Sequence, residues 1–400
     1  YFSPNTKSNL ENVSFEISIP LPDEKTGNKL IEWEIAIADK TNKIVKTINH
    51  KNYGDIPPEK VLFEGFDDNG KILPDGEYTA SVFAKYLNGY EAQKVYSPVV
   101  ILDTNAPEAQ IIANDKVFGA GAKDTVTYSI MITPSEGAPV PSWKAEIKSN
   151  DNGNIVKTYD LGEYPPETII WNGLCDDGSI AQKGQYLLSL SATDLAGNVG
   201  GGKSADLVTF DTTETQLLLA MTDNAFSPNG NRVKDTISIS PVTQTKDVIS
   251  YDFSIRDDKG NVVYSKKENK KLPVNFVWNG NDKDNIRCKD GMYSAHLSVI
   301  AANGSTAAAA TQLFELDTVE PKLTAEIPWT YFSPDGDGNQ DDLPVKIIES
   351  TKEKLWTADI RDVKGKSVKK YSWNGTKDSF VWNGTDESGN PAKNGKYTLM

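Results

Sequence analysis

The sixteen residues "WNGTDESGNPAKNGKY", 382 to 397, open on an aromatic-x-Gly and close on a Gly-x-Tyr. The same frame reads "WNGNDKDNIRCKDGMY" at 278 to 293 and "WNGLCDDGSIAQKGQY" at 171 to 186. A fourth copy, "FEGFDDNGKILPDGEY" at 63 to 78, puts Phe63 in place of the tryptophan. In all four the first aromatic and the tyrosine stand 15 residues apart. Chance does not hold that spacing four times, and an internal repeat governs the whole fold.

Upstream of each copy lies a second marker: "IEWEIAIADKTNKIV", "PSWKAEIKSNDNGNIV", "ISYDFSIRDDKGNVV" and "KLWTADIRDVKGKSV". Each alternates apolar and polar residues, turns at Asx, Gly or Lys, and resumes, which predicts a β-hairpin. A third marker, "LDTNAP" at 102, "FDTTET" at 210 and "LDTVEP" at 316, recurs after 108 and 106 residues. Asp-Thr with a nearby proline is linker chemistry, because proline leaves a sheet without donating to it.

A period just over 100 residues, with short strands and frequent turns, predicts immunoglobulin-like β-sandwiches. The expected fold is all-β: four tandem modules in an elongated array, at 1–102, 103–210, 211–316 and 317–400. Sustained helical periodicity is absent, and the alanine run at 307 to 310 reads as strand. Compared with the inner copies, the first module lacks an opening strand and the last lacks one or two closing strands. With Tyr1 standing where a Met or leader is expected, the sequence reads as a piece of a longer chain.

The pattern Trp-x-Gly-x-Asp-x-x-Gly followed by Gly-x-Tyr resembles the Ig-like repeat of the flagellar hook-capping protein FlgD. "FSPDGDGNQDD" at 332 to 342, with "IRDVKGKSV" downstream, resembles the gliding-motility-associated C-terminal domain. These resemblances imply a bacterial spacer module working at the cell surface, in the periplasm or after secretion. Copy two departs, with "VFGAGAKDT" where Phe-Ser-Pro would stand. The Phe-Ser-Pro motif also recurs mid-chain, at 226 to 228, so it reads as part of the repeat rather than as a terminal sorting signal.

Within the motif, Trp171, Trp278 and Trp382 are expected to begin a strand and to meet Tyr186, Tyr293 and Tyr397 across the core. Trp33, Trp143, Tyr251 and Trp356 fall at one position of the alternating strand and are expected to be core as well. Trp329 and Trp373 lie outside both positions and are the candidates for an exposed, sugar-stacking contact.

The balance of 42 Lys+Arg against 56 Asp+Glu gives a net charge of −14. Phosphate neutralisation needs the opposite sign, which argues against a nucleic-acid partner. No apolar run reaches the length of a membrane span. Cys175 and Cys288 occupy different repeat positions and are not expected to pair, and His50 and His296 lie far apart. Neither zinc spacing nor a nucleophile elbow, phosphate loop or Cys-His pairing occurs. The acidic residues recur at hairpin turns, so no catalytic residues are expected. The sequons at Asn12, Asn303, Asn374 and Asn383 read as chance.

One loop stands apart. In "YFSPDGDGNQDD", 331 to 342, Asp335, Asp337 and Asn339 alternate, with Asp341 and Asp342 to close a shell of oxygens. Calcium takes six to eight oxygens in irregular geometry, and neighbouring carboxylates repel without a cation. These five residues are the expected Ca2+ ligands. "AFSPNGNRVKDT" at 225 to 236 adds Arg232 and Lys234, and "YFSPNTKSNLEN" at 1 to 12 is poorer in acid, so both read as degenerate. The acidic hairpin turns "DDNG" and "DESG" read as turn geometry before weak calcium sites.

The sequence reading is a non-catalytic spacer or scaffold, its partners being proteins or surface components and further modules of the chain. The alternatives are an adhesin or glycan-binding array, less favoured, and the non-catalytic region of a secreted enzyme.

Overall fold

The computed structural model describes residues 1–50, 56–133 and 137–400. Among them every regular element is a β-strand except one 3-10 turn, Glu24–Thr26, and no helix is long and apolar enough to cross a membrane. The side chain of His50 lies outside the described residues. Two compact units are present. One comprises Tyr1–Met221, Ile239–Phe276 and Ser294–Gln312; the other comprises Thr222–Ser238, Val277–Tyr293 and Leu313–Met400.

In the first unit the second copy of the repeat is complete. One sheet orders Thr168–Trp171, Val126–Ile132 and Ala109–Ala113, all antiparallel. The other orders Ile155–Gly162, Trp143–Ser149, Gly184–Thr193, Val208–Phe210 and Val117–Phe118, with Val199–Lys203 also on Gly184–Thr193. Its last pair, Phe210 with Phe118, is parallel. Alternation along Trp143–Ser149 turns Trp143, Ala145, Ile147 and Ser149 inward, while Tyr128 and Ile130 come from the opposing sheet. Two sheets facing across one apolar layer make a sandwich.

The first copy repeats the larger sheet as Ile44–His50, Leu30–Asp39, Gly76–Tyr86 and Val95–Tyr96, with Val100–Leu102 beside Gly76–Tyr86. Phe2 bridges Leu102 in parallel, as Phe118 does Phe210. Its smaller sheet has two strands among the described residues, Val13–Glu16 and Lys60–Phe63. In the same unit Leu218–Met221 pairs with residues 239 to 242, and Val248–Asp257 with Val262–Glu268. The alanine run is a strand, Thr306–Ala310, as read from the sequence.

In the second unit Ala225–Phe226 lies parallel to Phe314–Leu316, and residues 291 to 293 lie antiparallel to it. The fourth copy orders Leu323–Glu326, Leu343–Ser350 and Ser379–Trp382 in one sheet. Ser367–Gly375, Glu353–Asp362 and Tyr397–Leu399 form the other.

The repeat motif closes each sandwich. Phe63, Trp171, Trp278 and Trp382 are all buried, but each ends a strand rather than beginning one. The chain must turn immediately after the ring, and the turn brings the tyrosine strand back against it. Ring centroids of Trp171 and Tyr186 lie 4.9 Å apart at 65°, and the other three pairs at 4.9 to 5.6 Å are likewise edge to face. Trp171 donates its indole N–H to the Leu174 carbonyl at 3.0 Å, and Tyr186 its hydroxyl to the Gln182 carbonyl at 2.6 Å. The glycine of aromatic-x-Gly is required twice over. Gly173 has φ +78°, and a Cβ there would stand 2.4 Å from the Phe210 ring.

Elsewhere the aromatics divide. Trp33, Trp143 and Tyr251 are buried as expected, but Trp356 is half-buried and pairs across strands with Trp373. Trp373 and Trp329 are half-buried too, not exposed platforms. Trp373 packs 6.0 Å from the Phe380 ring with Lys377 Nζ 5.3 Å from its own centroid. The fourth copy's core is small, built on Val345, Ala358 and Phe380, and Trp373 helps to cover it.

Replacing Trp171 with alanine removes a ring that is 1% exposed and should cost about 3 to 5 kcal/mol in urea unfolding. Tyr186→Phe keeps the ring and should cost about 1 kcal/mol for the lost hydrogen bond. Equal losses for the two variants would show that packing is not the main contribution.

Candidate metal centre and repeat joints

Three of the five expected ligands converge. Asp335, Asp337 and Asp341 each present an oxygen, and the three oxygens lie within 4.8 Å of one another. Among the described residues this is the only such acidic group. Asn339 sits on the same loop and donates its backbone N–H to Asp337 Oδ1 at 2.7 Å. Asp342 is exposed and stands outside the converging group, at the foot of Leu343–Ser350.

The loop is held from below and within. Phe332 stacks its edge on Trp382 at 5.2 Å, which ties the loop to the motif ring. Ser333 N–H donates to the Gln340 carbonyl at 2.9 Å and closes the loop. Asp341 accepts from both glycines, Oδ1 from Gly336 N–H and Oδ2 from Gly338 N–H, each at 2.8 Å. Both glycines have φ +84°, so the backbone needs glycine where the sequence supplies it.

The third copy builds the same loop with different charge. Asp235 accepts from Gly230 N–H at 2.9 Å and from Arg232 N–H at 2.7 Å, as Asp341 does from its glycines. Asn229 and Asn231 accept from Asn231 and Val233, as Asp335 and Asp337 do from Asp337 and Asn339. Amides therefore satisfy this turn as well as carboxylates do. Arg232 and Lys234 take left-handed φ values of 67° and 53°, and Lys234 pairs with Asp223 at 2.8 Å. Asp337 serves no hydrogen bond that an asparagine would not, whereas Asp335 also accepts the Ser333 hydroxyl on Oδ2 at 3.0 Å.

The hairpin acids behave as turn formers. Asp67, Asp282 and Asp386 each accept the N–H groups two and four residues ahead. Cys175 occupies that position in the second copy, and both cysteines are free thiols. The Lys71 N–H, the largest cause, and Asn69 hold the Asp67 carboxyl below the ordinary range. Asn261 does the same for Asp257 first through its side-chain amide.

A second set of polar residues was not legible in the sequence. Asp103, fully buried, donates its N–H to the Phe2 carbonyl at 3.1 Å and accepts from Ala138 N–H on Oδ2 at 2.6 Å. Its own carbonyl accepts from Asn198 Nδ2 at 2.9 Å. The next linker repeats the arrangement: Asp211 N–H donates to Phe118, and Asn303 Nδ2 reaches the carbonyls of Asp211 at 3.0 Å and Thr213 at 2.8 Å. Thr215 and Ser305 share a 2.6 Å hydrogen bond beside it. The Asp-Thr linkers at 103 and 211 are thus each bound by the copy before and gripped by a turn of the copy after, while Asp317 is bonded back to the Phe226 carbonyl. The partners lie 95 and 92 residues apart in sequence, and no local pattern announces them. Asn303, a formal sequon, is buried and committed to these carbonyls.

Two family models match parts of the chain. Residues 339–400 match the FlgD Ig-like domain, and residues 220–312 match the CHU_C type IX secretion signal domain. The sequence reading put the gliding-type motif at the fourth copy's loop, whereas the secretion-signal match covers the third copy and the FlgD match the fourth. No curated protein sequence matches. Among solved structures, the chain is similar to a tetra-tandem repeat in the extending region of a large adhesion protein. That likeness has 18% identity, covers 99% of this chain and 96% of that one, and has a TM-score of 0.28. A Ca2+-stabilised adhesin with which an Antarctic bacterium binds ice is similar at 12% identity, covering 93% and 92%, with a TM-score of 0.27. The FN1–FN3 domains of chicken CNTN1 are similar at 13%, covering 72% and 88%, with a TM-score of 0.28. At these TM-scores the likenesses carry no inference about this chain.

Asn303→Ala leaves two carbonyls without their donor and should cost about 1 to 3 kcal/mol. Limited proteolysis should then cut near Asp211–Thr213, where the parent chain resists; unchanged resistance would show that the turn does not hold the linker. In acid, the lowered carboxyls set the sign. Their contribution is complete above the ordinary carboxylate range and is lost as pH falls through the depressed value. Relative to the intrinsic rate at each pH, protection of the Asn69, Lys71 and Asn261 amides should therefore fall below about pH 4, and unchanged protection there would contradict this.

Proposed function

We propose that the chain is a non-catalytic spacer or scaffold region of a bacterial protein acting outside the cytoplasm. Its four Ig-like modules run 1–102, 103–210, 211–316 and 317–400. The observation that carries this reading is the doubly held linker at Asp103 and again at Asp211. Such joints fix one module against the next, which a spacer needs and an isolated binding domain does not. The match of residues 220–312 to a secretion signal domain supports the extracytoplasmic address. The partners in this reading are neighbouring modules, other proteins and cell-surface components.

The fourth module binds calcium through Asp335, Asp337, Asn339 and Asp341, with Asp342 as an outer ligand. The support is the charge difference between two loops whose side chains accept the same backbone N–H groups. Carboxylates replace amides at 335 and 337, next to a third carboxylate, where the turn's backbone N–H groups do not demand them. A hard cation with oxygen preference offsets that repulsion. Calcium there would tie the opening loop to the core ring Trp382 through Phe332.

Two experiments test the proposal. Removing residues 103–210 in frame from the parent protein should leave the other modules folded and its function intact at shorter reach. Complete loss of function with folded modules would reject the spacer reading. For the metal, calorimetry on the 400-residue chain should detect one calcium site. At 100 times the dissociation constant the metal should stabilise the fourth module by about 2.7 kcal/mol. The variant Asp335→Asn with Asp337→Asn reproduces the third copy's chemistry, so it should keep the fold and lose the calcium response. Absence of binding at millimolar calcium makes the loop an acidic turn.

A further inference from the structure

The outer face of the third copy's larger sheet carries a groove of about 440 Å³. Asp252, Ser254 and Arg256 line it from Val248–Asp257, alternate residues that share one face of their strand. On Gly291–Ala301, His296 lies opposite Ala310 and Ser298 opposite Ala308 of the alanine strand. The two alanines rise little above the backbone and leave a low floor beside taller neighbours.

Comparison between copies shows what is unusual here. Five residues after the strand aromatic, the second copy has Lys148 and the fourth Arg361. Each pairs with an acid two residues back, Glu146 at 2.9 Å and Asp359 at 2.7 Å. The first copy has neither charge, with Ala36 and Ala38 in those places. The third keeps the cation as Arg256 but has Ser254 where the acid stands. Among the described residues no carboxylate pairs with Arg256, and its Nε–H is shielded from water without an acceptor. A guanidinium with its acid removed and a donor unmet lacks an anion.

The neighbouring strand changes at the same level. Ser81 and Ser189, three residues after the motif tyrosine, each donate a hydroxyl across to a carbonyl, of Ala36 and Glu146, at 3.3 Å. The third copy has His296 there, and its Nε2 shares a hydrogen bond with Ser294 Oγ at 3.0 Å. Burial first, and then the Arg256 charge, hold the imidazole below its usual value, so the ring is neutral at about pH 7. At the far end Asp252 is exposed, with Lys267 at 3.9 Å. The groove is thus cationic at one end, uncharged in the middle and an acceptor at the other.

We propose that this groove binds an acidic sugar, its carboxylate on the Arg256 guanidinium and its ring hydroxyls on His296, Ser298 and Asp252. The planar guanidinium matches a carboxylate through two parallel hydrogen bonds, and the Asp252 carboxylate accepts from hydroxyls. The flat alanine floor receives a face of the ring. The volume lies within the range of small-ligand sites. An acidic peptide fits less well. The three strands pair with one another, so this face offers no free main-chain groups to an extended chain.

The probe is digalacturonate, titrated by calorimetry against the 400-residue chain, where saturable binding at millimolar concentration is expected. Its neutral counterpart, galactobiose, should bind at least about tenfold more weakly. The charged groups around the ring are Arg256 and Asp252 on one flanking strand, and the alanine strand adds none. A bound carboxylate offsets the Arg256 charge, so the pKa of His296, followed by NMR, should rise on saturation. Arg256→Gln should weaken binding at least about tenfold. Ser254→Glu restores the acid of the second copy, occupies Arg256 within the protein, and should weaken binding similarly with an unchanged circular dichroism spectrum. Undiminished binding by either folded variant overturns the proposal, as does no binding at millimolar sugar or an unmoved His296 pKa. Acetate or a tetraglutamate peptide competing as well as digalacturonate would make this a general anion or peptide site and reject the sugar.

Discussion

One edge-to-face ring pair organises every copy of the repeat. Where Trp171 meets Tyr186, two strands from different sheets are fixed at one point, and both rings spend their polar atoms on nearby carbonyls. A large buried aromatic without such partners would carry an unpaired N–H or O–H into the core. The fifteen-residue spacing is the length of chain needed to turn, cross and return with both hydrogen bonds made. Around that point the sheets have little freedom: Phe118 and Phe210 pack on the indole, and Gly173 lets the closing strand touch it. The first copy keeps the geometry with Phe63, giving up only the indole hydrogen bond.

Much of this architecture could be read from the sequence, because its causes are local. Alternation names the strands, and the alanines at 307 to 310 read as strand from their place between "NGST" and "TQLFELD". The aromatic frame was legible as core, though not the fact that the tryptophan ends its strand. That depends on the turn after Gly173, which periodicity does not describe. Trp356 shows a different limit. Its position matches buried Trp33 and Trp143, yet the thin core of the fourth copy leaves it half-covered. Position in a repeat predicts direction, whereas burial depends on what the facing sheet contributes. The acidic loop was legible as a converging set, and three of its five residues converge. The linker asparagines were not, since their partners lie most of a repeat away.

The repeat also separates the backbone requirement of a turn from its charge. Asn229 and Asp335 accept equivalent hydrogen bonds, and Cys175 stands where Asp67 does without unmaking the turn. Once the N–H groups are satisfied, the side chain's remaining electrostatics are free to vary between copies. Chemistry can therefore be placed on one copy and left off the next without altering the scaffold beneath.

The linkers carry a consequence for how the chain comes apart. Asp103 is bonded backwards to Phe2 and forwards to Asn198 and Ala138, and Asp211 stands between Phe118 and Asn303 in the same way. When one sandwich opens, its neighbour's last residues lose their donors and become the next weakest place. Stability then has a term belonging to each boundary rather than to either side, as in a one-dimensional chain of coupled spins. Under a stretching load such coupling favours sequential release that begins at a copy with only one neighbour and travels inward, each event lowering the barrier for the copy beside it.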